Sequence, residues 1–287
     1  MEAGGEVTIT DSINKILKIN DSYKAPQRLM DLLTGDKTER DHVFKEMAYL
    51  FDHDYSFDWF HEYFQNEHAD RKEKKQDFTP ESVSKLLNRM VKDNPGSTAD
   101  IASGTGGLLI TRWHEDRMQT NPFTYRPSDY LYHAEELSDR SVPFLLFNLI
   151  IRGMNATVMH GNALTRECYG IFFIQNDYDD HMLYSSLNVF PYSEDIERQF
   201  GVKFVEEKYP HILQTPGIPK HVIHPPDRSQ DEEAWNIVKA LAGVEPLQES
   251  NGDHSQTINQ EYDQTPREDK TTLTDTLERQ TTLFDYL

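Results

Sequence analysis

The chain has a single cysteine, Cys168, in 287 residues. One thiol cannot build a disulfide framework, so the fold must rest on its core, as in a reducing cytoplasm. No apolar run is long enough to span a bilayer, and the opening MEAGGEVTIT lacks the basic and apolar regions of a secretory signal. A soluble, cytoplasmic protein with no membrane partner is expected. Positive charge is scarce too: 29 Lys and Arg stand against 49 Asp and Glu, a net charge of −20. Phosphate binding needs positive surface, so tight non-specific nucleic-acid binding is not expected from this composition. The acid is unevenly spread, with fourteen acidic and five basic residues after Pro226. That stretch, residues 227–287, reads as an acidic flexible tail.

Glycine is sparse except at one place. Asp100-Ile101-Ala102-Ser103-Gly104-Thr105-Gly106-Gly107-Leu108 packs three of the 14 glycines into four positions. Such a turn lets backbone amides approach a ligand closely, because no side chain stands between them. Met90 and Val91 precede it and Leu108-Leu109-Ile110 follow, which suggests a strand, the loop, then a helix. A loop at the carboxyl end of a strand is where open α/β sheets bind nucleotides.

Upstream, residues 1–75 read as a helical region. Ile13, Ile16, Leu17 and Ile19, then Leu29, Met30, Leu32 and Leu33 after Pro26, predict two short amphipathic helices. Val43, Phe44, Met47, Leu50 and Phe51 predict a longer helix over 38–67 that continues through the aromatic run 55–64 as core. His61, Glu62, Glu67 and His68 lack the spacing of a His-Glu-x-x-His zinc site, and no metal is expected. Arg71-Lys72-Glu73-Lys74-Lys75 reads as a solvated face or linker. Thr79 as cap and Pro80 at the first position then start another helix. Downstream, apolar segments at 131–134, 156–160 and 169–174 read as strands separated by a helix over 141–152 and a turn at 161–164. The alternation predicts an α/β domain over 76–226 built on a parallel sheet with helices on its faces.

Taken in order, these motifs resemble the S-adenosylmethionine-dependent DNA adenine N6-methyltransferases, closest to the modification subunits of type I restriction systems. The resemblance covers residues 76–176, about a third of the chain. Gln76-Asp77-Phe78-Thr79-Pro80 is similar to the family's Gln-x-Phe-Thr-Pro, implying that Phe78, Thr79 and Pro80 contact the methionine end of the cofactor. The glycine loop resembles Asp-Pro-Ala-Cys-Gly-Thr-Gly-Gly, which adds Asp100, Ser103, Gly104, Thr105 and Gly106. Ala134-Glu135-Glu136-Leu137 matches Gly-Gln-Glu-Leu, implying that Glu136 holds the ribose hydroxyls, and Asn148 and Gly153 also sit as in that family. Gly161-Asn162-Ala163-Leu164 resembles Gly-Asp-x-Leu, where the amide oxygen of Asn162 would engage the adenine amino group. The implied fold is a Rossmann-like methyltransferase sheet with helices on both faces.

The family's catalytic Asn-Pro-Pro-Tyr, which binds a flipped adenine, is incomplete here. The candidate at the fourth strand is Asn176 with Tyr178, lacking both prolines; the rival is Asn188 with Pro191 and Tyr192, one residue too long. Two readings follow from the resemblance. The first is methyl transfer to adenine in DNA, with a specificity-type subunit supplying sequence recognition. The second is a catalytically degenerate relative that binds cofactor and acts on the replication, restriction or defence machinery. Truncation relative to full modification subunits fits a phage or plasmid origin. The tail ends Gln280-Thr281-Thr282-Leu283-Phe284, which resembles the Gln-x-x-Leu-Phe peptide that docks on the bacterial sliding clamp. The resemblance implies that Gln280, Leu283 and Phe284 bind such a partner.

Overall fold

A computed structural model describes residues 8–67, 82–84, 97–119 and 124–215. Four helices lead: α1 (Ile9–Ile16), α2 (Ala25–Thr34), α3 (Lys37–Leu50) and α4 (His61–Glu67). Thr8 starts α1 with a capping box, accepting from the Asp11 amide at 3.1 Å while Asp11 accepts from the Thr8 amide at 3.2 Å. Asp36 caps α3 by accepting from the Glu39 amide at 3.0 Å. Pro26 lies in the first turn of α2, where its missing N–H costs nothing.

The helix expected over 38–67 is instead two helices. Asp52 and His53 adopt left-handed φ of 51° and 56°, which ends α3 and turns the chain. The aromatic residues that follow fold as turns until α4. Apolar spacing alone carried the helix reading past that break.

The sheet begins with β1 (Ser97–Ile101), followed by α5 (Gly107–Gln119), β2 (Leu131–Glu136), α6 (Val142–Ile151) and β3 (Ala156–Gly161). β1, β2 and β3 are parallel, with Ile101 beside Glu135 and Glu136 beside His160. This is the expected Rossmann-like half, with helical crossovers joining parallel strands. β4 (Glu167–Gln175) then returns antiparallel to β3, pairing Ala156 with Ile174. β5 (Ser186–Val189) is antiparallel to β4, and the short β6 (Lys203–Phe204) pairs parallel with the start of β4. The path β1-β2-β3-β4-β5 makes a mixed α/β sheet rather than a wholly parallel one.

Both faces carry helices. Tyr132, Ala134, Val158, Phe172 and Ile174 point to one face, where they share a core with Leu109 and Trp113 of α5, all the apolar residues of α6, and the N-terminal helices from Ile13 onward. α6 is buried along its whole length and packs on α2, so the helical region and the sheet are one hydrophobic unit. Met159, Ile171 and Phe173 point to the other face, against Ile196 of α7 (Glu194–Phe200). Ser193 caps α7, and Gly201 ends it at a φ of 59°.

Candidate cofactor site

The carboxyl ends of β1, β2 and β3 lie at one edge of the sheet, and the glycine loop closes the end of β1. Two loop amides fasten it to β2: Ala102 and Ser103 donate to the Glu135 carbonyl at 2.8 and 3.0 Å. Ala102 takes a φ of 67°, unfavourable for a residue with a Cβ, and Gly104 and Gly106 take 58° and 96°. A methyl group on Gly106 would meet Leu145 Cδ1 of α6 at 2.8 Å, on a backbone already strained for any side chain.

Glu136 bridges the loop to the turn beyond β2. Its Oε2 accepts the Gly104 amide at 2.7 Å and its Oε1 accepts the Ser138 amide at 2.7 Å. Burial raises its pKa. Asp100 shares that face one strand away, and burial, with the Glu136 charge added, pushes it up to about 6. Each bonded carboxylate oxygen of Glu136 keeps a further lone pair, enough to accept from a diol.

Ile101 ends β1, and Leu137 and Leu164 follow β2 and β3; they are exposed to 63, 52 and 95% respectively. Three bare apolar side chains along one edge suit an apolar ring better than water. Beyond the loop, a cavity of about 160 Å³ opens between Phe51, Phe57, Trp59 and the start of α5 at Gly107 and Thr111, with Asp58 on its wall.

Several expected contacts are used differently. The Ser103 hydroxyl donates to the Asp100 carbonyl at 2.7 Å, so it braces the loop. The Thr105 hydroxyl donates to buried Asp58. Asn162 Oδ1 accepts the Leu164 and Thr165 amides at 2.9 and 3.2 Å, so the oxygen expected to meet an adenine amino group is held by its own turn. Phe78, Thr79, Pro80, Gln280, Leu283 and Phe284 lie outside the described residues.

The two catalytic candidates separate. Because β4 runs back along β3, Asn176 emerges beside the amino end of β3, one six-residue strand from the loop, or about 17 Å. Its side chain is buried and donates to the carbonyls of Gly153 and Asp180 at 3.1 and 2.8 Å, while its Oδ1 accepts the Asp180 amide at 3.0 Å. Tyr178 stands part-exposed just beyond it. The strand reversal thus puts Asn176, the candidate at the fourth strand, at the opposite end of β3 from the glycine loop. Asn188 lies in β5, which runs toward the cofactor edge, and its Oδ1 accepts the Thr215 amide at 3.2 Å. Pro191 and Tyr192 follow; the Tyr192 hydroxyl donates to the Tyr169 carbonyl at 2.9 Å, on the far side of β3 from the loop.

The residue that sequence reading missed is Asp58. The aromatic run places it in a helical core, whereas it sits in a turn at 9% exposure under the glycine loop. A carboxylate amid Phe57, Trp59 and Phe60 hints at burial but names no partner.

Residues 53–192 match the family model described as N-6 DNA Methylase, a span that takes in Asp58, the glycine loop, Glu136 and Asn162. Neither the curated proteins nor the solved structures give a match. Residues 53–192 are therefore a domain of the N-6 DNA methylase family.

Proposed function

We propose that the chain binds S-adenosylmethionine at the carboxyl edge of β1–β3 and serves N6 methylation of adenine in DNA. The observation that carries this reading is the Glu136 carboxylate fastened to the Gly104 amide, which sets an acceptor beside bare glycine backbone. In this reading Glu136 orients the ribose, the Gly104–Gly106 backbone admits the cofactor without a steric wall, and Ile101, Leu137 and Leu164 cover its adenine ring. When bound, the cofactor supplies an activated methyl group on sulfur.

A second reading is favoured by the place of Asn176. With that side chain committed to carbonyls at the opposite end of the sheet, cofactor binding without methyl transfer becomes a distinct outcome. Calorimetry with S-adenosylmethionine, followed by incubation of labelled cofactor with adenine-rich DNA, separates the two. Binding with transfer supports the enzyme, binding without transfer supports the degenerate relative, and no binding overturns both.

Recruitment remains part of the proposal. An acidic body should bind DNA poorly by itself, and tethering through Gln280, Leu283 and Phe284 to a sliding clamp would raise its local concentration on DNA. A specificity-type subunit would supply target recognition. A peptide of residues 280–287 should bind a bacterial clamp, and replacing Leu283 and Phe284 with alanine should abolish that binding.

A further inference from the structure

We propose that Asp58 is a positioning residue for the cofactor loop, acting through Thr105 and Asn148. This rests on reading that loop as the cofactor site. Thr105 stands between two glycines whose backbones would otherwise sample many conformations. It is gripped twice. Its hydroxyl donates to Asp58 Oδ2, and its carbonyl accepts from Asn148 Nδ2 at 2.8 Å. Asn148 Nδ2 also donates to Asp58 Oδ1 at 2.8 Å, and the Phe60 amide donates to the same oxygen at 3.0 Å. One carboxylate and one amide thus fix both ends of the only non-glycine residue in the Gly104–Gly106 turn.

The grip is itself anchored. Arg152, the C-cap of α6 one turn beyond Asn148, donates to Asn148 Oδ1 at 3.0 Å and to the carbonyls of Tyr55 and Phe57 at 2.9 and 2.6 Å. Burial raises the pKa of Asp58, and burial brings Arg152 down to about 10, opposed chiefly by the Asp58 charge. A buried polar network of this kind is costly unless every member is satisfied; when satisfied, it specifies one geometry. The turns before α4 are in this way part of the cofactor site, though none of their side chains needs to touch the ligand.

The test uses the full chain and three measurements: amide hydrogen exchange over residues 103–107, affinity for S-adenosylmethionine, and the thermal midpoint. Thr105→Val keeps the branched shape and deletes the hydroxyl. It should raise exchange in the loop about tenfold or more and weaken cofactor binding about tenfold, with the midpoint changed by a few degrees. Thr105→Ser, which restores a hydroxyl, should return both readings to within about twofold of the starting protein. Asp58→Ala, which deletes both acceptor oxygens, should behave like Thr105→Val in the loop. Unchanged exchange in Thr105→Val overturns the proposal, as does exchange that rises equally across β1, β2 and β3, which would mark a merely structural role. A parent chain that fails to bind cofactor, with loop exchange still responding to Thr105→Val, overturns the cofactor reading and upholds Asp58 as the loop's anchor.

Discussion

Glu136 accepts the Gly104 amide at 2.7 Å, joining the end of β2 to the turn that closes β1. The bond crosses from one parallel strand to its neighbour, so the site exists only when both strands are in register.

Glu136→Gln should therefore separate binding from folding. The amide oxygen can still accept one backbone N–H, but the charge and the second pair of acceptor sites are lost. Cofactor affinity should fall at least about tenfold, while stability to denaturant should change by less than about 1 kcal/mol. Calorimetry and urea unfolding on the same preparation check both.

Asp100 gives a pH dependence of definite sign. Burial and the Glu136 charge push its pKa up to about 6, above the ordinary 3.8 of an aspartate, so the folded state holds the proton more tightly. Its contribution to stability is full below the lower value and is lost as pH rises through the upper one. Asp100→Asn should remove that loss, raising stability at pH 7.5 by about 1–2 kcal/mol and leaving it unchanged near pH 3.5. The difference between the two stability curves across pH 4–7 is the measurement.

Glu135 should show the opposite sign. Burial pushes its pKa up, but hydrogen bonds from His133 and Arg166 outweigh that and hold it low. Its contribution is present above its unfolded pKa and is lost as pH falls through the lowered folded one. Arg166 grips both oxygens of Glu135, at 2.8 and 2.9 Å, and also donates to the Gly201 and Phe200 carbonyls at 3.1 and 2.9 Å. Arg166→Ala should cost about 2–3 kcal/mol at neutral pH by freeing the end of α7 and leaving a low-exposure carboxylate with His133 as its remaining side-chain partner. Urea unfolding at pH 7.5 reads it.

Asn176→Ala should destabilise the chain by about 2–4 kcal/mol, since it strands buried carbonyls and an amide. Cofactor affinity in the fraction that remains folded should match the parent. A variant of parental stability that lost methyl transfer would instead make Asn176 a catalytic group.

What sequence reading recovered was local. The loop is legible because its glycines stand at fixed spacing, and Glu136 because it ends a short apolar run. The expected parallel direction fails at β4, although the sequence carried the clue. Only five residues separate β3 from β4. A parallel partner needs a crossover of a dozen or more, so this connection permits only a hairpin. Asp58 was not legible because its burial depends on Thr105 and Asn148, which lie 47 and 90 positions away.

The reversal at β4 also divides the sheet by the way it can assemble. β3, β4 and β5 follow one another as a meander whose contacts are close in sequence, whereas β1 and β2 meet only after the whole of α5 has been laid down between them. Closing the shorter loops costs less entropy, so the antiparallel half should form first in refolding and the parallel half last. The strand pair that carries the glycine loop and Glu136 is then the final piece to be completed, and a ligand that grips both would act late, by slowing their separation rather than by speeding collapse.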